Sequence, residues 1–325
     1  MVPQAADIAF LDATSGLDRT DCKVFRVLCP SPAGGLPEGL IITSSERDEV
    51  LTEALEIFRD KCAPSYAFKG RGADGPRVWM SDDCQAEITA IKAVFPLSTP
   101  LLCQWHLIAA VWRWLWDRHH EIEHEDRPHL LKLFQKLIYA KTSQEYEIAR
   151  LELFEDDTAD NYKNYLEHLS SSYFGRVEAW TTFSRLENNL STHHHMTNNL
   201  VEASFHVMKN YTFNRQMEFN VASLLSKLLA EDSKYYENKL IDIGNSVFTS
   251  HVSKSRYNKK VSIPKEDVIE VCPQSKIYMV KSQNKEEDNL FYRQNMKTGH
   301  CSCPDGRDFG PCKHKALTEC NYHSL

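Results

Sequence analysis

The chain has 325 residues, 42% of them hydrophobic and 26% charged, with a formal net charge of −7 and a mean hydropathy of −0.46. That balance excludes a disordered or fibrous polypeptide, and the negative charge argues against nucleic-acid binding by the whole surface, which needs clustered Lys and Arg. Without a stretch of about 18 apolar residues, or a basic and apolar start after Met1, a membrane span and a secretory signal are not expected, and the ten cysteines read as free thiols or metal ligands of a reducing compartment.

In chain order, Ile8 to Thr14 reads as a short apolar run ending in an acid, and Lys23 to Cys29 and Leu40 to Thr43 read as two further strands of a meander, separated by the turn-rich Pro30 to Gly39. Ser44 or Ser45 caps a helix over Glu46 to Cys62, on which Val50, Leu51, Ala54, Leu55 and Phe58 share a face. After a Gly-rich turn from Gly70 to Pro76 come the strand Val78 to Asp82, a helix from about Asp83 to Val94 that stops before Pro96, and the strand Leu101 to Cys103. From His106 to about Leu240 the pattern is helical: Leu107 to Trp116, Leu130 to Ile138, Tyr146 to Leu153, Leu200 to Met208 and Val221 to Leu229. The expected architecture is thus an α/β core interrupted by a long helical insertion. Beyond Ile243, Val268 to Val271, Lys276 to Val280 and Phe291 to Gln294 are short β-like runs on a tail that leans basic.

The tail ends in Cys301-Ser302-Cys303, a Gly/Pro turn, and Cys312-Lys313-His314, three soft sulfurs and an imidazole suited to a tetrahedral structural zinc. The spacing resembles the SWIM-type zinc finger, with a short helix expected over Lys313 to Glu319. Cys320 and His323 lie nearby but are not expected as ligands.

Two strands end in an acid, Asp12 and Asp82, and the helix around Thr197 to Glu202 offers a third. Three carboxylates drawn together need a compensating cation, and hard oxygen ligands suit Mg²⁺ or Mn²⁺, the layout of two-metal phosphoryl chemistry. The series Phe10-Leu11-Asp12-Ala13-Thr14, Met80-Ser81-Asp82 through Ala90-Ile91 to Val94-Phe95-Pro96, Cys103-Gln104-Trp105-His106, then Thr197-Asn198-Asn199-Leu200-Val201-Glu202 with Lys209, resembles the transposase domain of Mutator-like elements. The resemblance spans residues 7 to 215 and 296 to 316. It implies an RNase H-like fold, a DDE triad of Asp12, Asp82 and Glu202 holding two Mg²⁺ or Mn²⁺ ions, an all-helical insertion before the Glu, and a Cys-x-x-His motif after the second Asp. Asp83 competes with Asp82, which directly follows the β-run and fits the family's spacing. His106 is a candidate to contact DNA or a reacting phosphate or to position the acids; the alternative for Cys103 and His106 is that they dock the next helix.

The expected division is 5–106 for the first part of the core with Asp12 and Asp82, 107–195 for the insertion, 196–243 for the return with Glu202, and 244–325 for the tail, its finger at about 290–320. Trp105, Trp112, Trp114 and Trp116 are expected mainly to pack the insertion, with base stacking as the alternative. His193 to His195 read as a solvated loop and Lys254, Arg256, Lys259 and Lys260 as a charged linker able to meet phosphate.

Two functions follow from the resemblance. One is a transposase core that cleaves DNA and transfers strands with divalent metal, in the nucleus and as a homodimer. The other is a domesticated, non-catalytic regulator that binds DNA or protein through the fold and the SWIM finger. Family members usually carry a DNA-binding module before the first Asp, so the early position of Asp12 suggests a fragment, a truncated product or a domesticated descendant.

Overall fold

The computed structural model of the chain describes residues 3–31, 34–62, 65, 67–192, 195–244, 264–274, 277–282, 290–295, 300–303, 312 and 314. Contacts divide it into two units, Met1–Tyr236 and Glu237–Leu325. No helix among the described residues is long and apolar enough to cross a membrane.

The first unit is built on a mixed five-stranded sheet. Strands β1 (Ile8–Thr14), β2 (Lys23–Ser31) and β3 (Gly34–Thr43) form an antiparallel meander. Strands β4 (Val78–Ser81) and β5 (Thr99–Leu102) add in parallel on the other side of β1, giving the order β3-β2-β1-β4-β5. The first helix, α1 (Asp48–Ile57), continues through a π-helical turn to Cys62. A single turn, α2 (Ala67–Gly70), holds Phe68 and Lys69 in the left-handed region. Then α3 (Gln85–Val94) links β4 to β5.

Because side chains alternate along a strand, the sheet has two buried faces. Ala9, Leu11, Val27 and Trp79 bury against Leu51 and Leu55 of α1 and against Ile91 and Val94 of α3. Ile8, Phe10, Val24, Leu28, Val78 and Met80 lie on the other face, packed with Val201, Phe205 and Met208. These last residues belong to α10 (Asn199–Val207) and the π-helical turn after it.

Between β5 and α10 the described residues hold helices and no strand: α4 (Gln104–Trp116), α5 (Arg127–Tyr139), α6 (Ser143–Glu155), α7 (Asp157–Asp160), α8 (Lys163–Ser172) and α9 (Thr182–Glu187). They share a core in which Leu107, Val111, Phe134, Leu137, Tyr165 and Trp180 are buried, together with Ile88 of α3 and Leu102 of β5. Helices α11 (Val221–Lys227) and α12 (Ser233–Gly244) follow α10.

The segment Pro30 to Gly39, expected as a turn, instead extends both strands of the β2–β3 hairpin, with a bulge between Val27 and Leu28. Two prolines are tolerated there because β3 is the sheet edge and because β1 pairs with β2 only as far as Leu28, so Pro30 withdraws no bond from the centre. At the turn before β4, Gly75 has φ +68°, and a Cβ there would lie 2.6 Å from Cδ1 of Phe95, so both conformation and space require glycine.

In the second unit β6 (Val268–Cys272), β7 (Ile277–Lys281), β8 (Phe291–Asn295) and β9 (His300–Cys301) form an antiparallel sheet in sequence order. The expected helix Lys313 to Glu319 has only His314 among the described residues, and Cys320, His323 and the basic run Lys254 to Lys260 lie outside them.

Candidate active site and metal centre

Asp12 and Asp82 reach one level of the sheet for a reason of register. Strand β1 pairs in parallel with β4 through Phe10 and Met80, and each acid stands two residues further along its own strand direction. A step of two residues preserves the face. Both acids therefore lie toward the carboxyl ends of adjacent strands, Asp12 two residues before the end of β1 and Asp82 just past β4, on the side that α10 covers. Glu202 follows Val201, the buried anchor of that helix, in the first turn of α10.

Asp82 and Glu202 meet at His106, which sits in the first turn of α4. Its Nδ1 contacts Oδ1 of Asp82, and its Nε2 lies 3.3 Å from Oε1 of Glu202. Asn198, wholly buried before α10, donates from Nδ2 to Oδ1 of Asp82 at 3.4 Å and from its backbone N–H to Sγ of Cys103 at 3.2 Å. Cys103 in turn donates its backbone N–H to the carbonyl of Ser81 at 2.9 Å, tying β5 to the residue before Asp82. Asp83 points elsewhere: both of its oxygens take hydrogen bonds from Arg176 of the insertion. Among the described residues of this unit, the potential ligand atoms that gather within 4.8 Å of one another are those of Asp82, Cys103 and His106.

The electrostatics mark one shared field. Burial, then the charge of Asp82, pushes the Asp12 carboxyl up to about 7, while the Ala13 N–H, donating at 2.7 Å, and His106 pull the other way and Glu202 adds to the rise. Hydrogen bonds to Asp82 and Cys103 raise His106 from its usual value to about 10. Such a set favours a bound cation, because each carboxylate is costly to ionise beside the others.

Three site residues have no place in the sequence expectations. Glu87 is buried, with Oε2 lacking a hydrogen-bond partner, and burial followed by the charges of Asp12 and Asp82 raises it well above the carboxylate range. It is three, four and seven residues before Ala90, Ile91 and Val94, so an acid on the apolar stripe of α3 was the available signal. Arg185 of α9 is buried, donates to the carbonyl of Leu102 at 2.6 Å, and is held down to about 10 by burial despite an attraction to Cys103. Arg26 stands directly opposite Asp12 on β2, yet gives its guanidinium to Asp232 at 2.6 Å and to the Tyr236 hydroxyl at 3.1 Å.

Of the four tryptophans, Trp112 and Trp114 pack against the insertion core, with Trp114 stacked between His120 and His168. Trp105, next to His106, and Trp116 are exposed. In the histidine run His195 lies edge-on to Phe10 at 5.4 Å, and His193 and His194 are outside the described residues. A cavity of about 550 Å³ opens between α3, β5 and α9, lined among others by Ile88, Lys92, Leu102, Arg176 and Glu178 and by none of Asp12, Asp82 and Glu202.

In the second unit Cys301, Cys303, Cys312 and His314 are all buried with their ligand atoms within 4.8 Å of one another. Cys301 Sγ is 3.8 Å from His314 Nδ1, and Tyr292 of β8 packs over the imidazole with ring centres 5.0 Å apart. Crowding by the Cys303 and Cys312 thiols and burial raise the Cys301 thiol strongly, so three thiolates here demand a divalent charge among them. The donor set fits zinc and is compatible with a SWIM-type finger.

A family model described as Transposase, Mutator family matches residues 65–230, a span that includes Asp82, Cys103, His106 and Glu202. No curated protein matches the chain.

Proposed function

Because the chain belongs to the Mutator family of transposases, we propose that its first unit is an RNase H-like DDE core that cleaves DNA and directs the freed 3′-OH to a target strand. The observation that carries this reading is the placement of Asp12 and Asp82 at one level of adjacent parallel strands, under the helix that bears Glu202. The strand order β3-β2-β1-β4-β5, with β2 the antiparallel member beside β1, supports the fold assignment.

Asp12, Asp82 and Glu202 are the residues to hold Mg²⁺ or Mn²⁺, which when bound supplies positive charge at the scissile phosphate and a nucleophilic oxygen. The protein's own share is positioning. Asn198 fixes the Asp82 carboxylate from below, and β-register fixes Asp12 beside it. His106, bridging Asp82 and Glu202, keeps the helix-borne acid facing the strand-borne one. The family supports DNA as the partner; a homodimer, a nuclear location and a protein- or DNA-binding role for the zinc finger complete the proposal.

The test is Mn²⁺-dependent nicking of supercoiled plasmid by the full chain against the Asp82→Asn protein, which needs no knowledge of natural DNA ends. Loss of nicking in the variant supports the reading. Equal silence of two folded, zinc-loaded proteins would replace it with the domesticated, non-catalytic binder.

A further inference from the structure

We propose that Asp82, Cys103 and His106 form a second transition-metal site, built for an ion of the zinc class and separate from the cysteine-rich cluster of the tail. The three donors are brought together by three different local rules. Asp82 follows β4, and Cys103 follows β5, whose parallel register sets Ser81 opposite Leu102. His106 stands three residues beyond Cys103 in the first turn of α4, a spacing that puts both on one side of a helix start.

The resulting oxygen, sulfur and nitrogen atoms lie within 4.8 Å of one another. Oδ1 of Asp82 and Nδ1 of His106 are already in direct contact, so a bound ion would take the place of that hydrogen bond, the ligand atoms settling about 3.5 Å apart as they do around tetrahedral zinc. A thiolate with an imidazole and one carboxylate selects borderline ions such as Zn²⁺, Co²⁺ or Cd²⁺ over Mg²⁺, which prefers oxygen alone.

The surroundings are those of a built site. Asn198 is fully buried and touches two of the three ligands, donating to Cys103 Sγ from its backbone and to Asp82 from Nδ2, while its own Oδ1 lacks a hydrogen-bond partner. Such outer hydrogen bonds orient ligands. The buried guanidinium of Arg185 lies beside the site, donating to the carbonyl of Leu102, the residue before Cys103, at 2.6 Å. Cys103 is sealed from solvent, but the Asp82 and His106 side chains are 29% and 26% exposed, which leaves the ion a way in and a fourth position for water or Glu202.

One consequence rests on the proposed transposase reading. Asp82 cannot serve a soft-ion site and a Mg²⁺ site together, so zinc at Asp82, Cys103 and His106 would silence strand cleavage.

The decisive experiment is ¹¹³Cd NMR with metal counting on the full chain, freed of metal and titrated with Cd²⁺. The expected result is two equivalents and two resonances, one far downfield from three thiolates and one upfield of it from a single thiolate. Cys103→Ser and, as a gentler change at a half-exposed position, His106→Gln each remove the second resonance and keep the first. One equivalent in the wild-type chain, or two resonances surviving in His106→Gln, would overturn the proposal and leave Cys103 and His106 as helix-docking residues. Added zinc is further expected to suppress Mn²⁺-dependent nicking by the wild type. A chain that never nicks defeats the transposase reading alone, since the cadmium spectra still decide the metal site.

Discussion

Removal of Asp232 isolates the energetic weight of the contact that fastens the return helices to the sheet. Arg26 is 1% exposed and Asp232 9%, at 2.6 Å, with Tyr236 as the second acceptor of the guanidinium. In Asp232→Ala the guanidinium stays buried opposite Asp12 without its counterion, a change that costs about 3–5 kcal/mol. For a unit of this size each kcal/mol lowers the melting temperature by roughly 2–4 °C, so the expected drop is about 6–20 °C. Oδ1 of Asp232 has no hydrogen-bond partner, so the pair itself is not fully satisfied. The double variant Arg26→Met/Asp232→Leu, which replaces both charges by apolar groups of similar bulk, is therefore expected to recover most of the loss. Thermal and urea unfolding followed by circular dichroism measure all three proteins. A cost below about 1 kcal/mol for Asp232→Ala, or a double variant no more stable than the single one, would refute the argument that an orphaned buried charge is the main term.

Four further outcomes follow from the same geometry. Asp83→Asn breaks only the half-exposed pair with Arg176 and is expected to cost no more than about 1 kcal/mol in urea unfolding, and to leave plasmid nicking intact where Asp82→Asn abolishes it. Gly75→Ala pushes a Cβ to 2.6 Å from Phe95 at a positive φ and should cost about 1–3 kcal/mol, read as a lowered urea midpoint. Burial against Trp114, with the His120 charge beside it, lowers the pKa of His168, so the unfolded chain takes up a proton that the native one resists; insertion stability then falls as pH drops through about 6.5, and His168→Phe, which keeps the stack, removes that dependence in thermal melts. Chelation of zinc is expected to strip amide-exchange protection from β8 and β9 while β1 and β2 keep theirs, because a structural zinc contributes about 10–16 kcal/mol to a small module with little core of its own.

The positions of Asp12 late in β1 and Asp82 just past β4 were legible from two short apolar runs that carry an acid, and that of Glu202 from a motif at a helix start. What distinguishes Asp82 from Asp83 was not local: Arg176, which occupies Asp83, comes 93 residues later. The Arg26 pair was equally hidden, its partner lying 206 residues away and its orientation depending on strand register. Pro30 and Pro37 gave a true local signal that tertiary context overrode, since a sheet edge tolerates a missing donor. The short helices α7, α8 and α9 left little trace because a few buried positions such as Tyr165, Leu166 and Leu169 set no long period. Glu87 went unnoticed although the stripe of α3 carries it plainly. An acid among apolar residues at helical spacing marks a buried carboxyl as readily as a solvated one.

The insertion has a cost in time as well as in space. Five strands and the helices of one face are complete once β5 has emerged from the ribosome, but Val201, Phe205 and Met208, which seal the opposite face, are encoded about a hundred residues later, some 5–20 s of synthesis. Through that interval Ile8, Phe10, Val24, Val78 and Met80 have no cover of their own, and they form a broad apolar plane on a nascent chain. The insertion, whose core takes in Ile88 and Leu102 from the half already made, can fold in the meantime and tether the two ends. Truncation anywhere before α10 should therefore yield a product that sticks to chaperones and to itself, whatever its catalytic inventory.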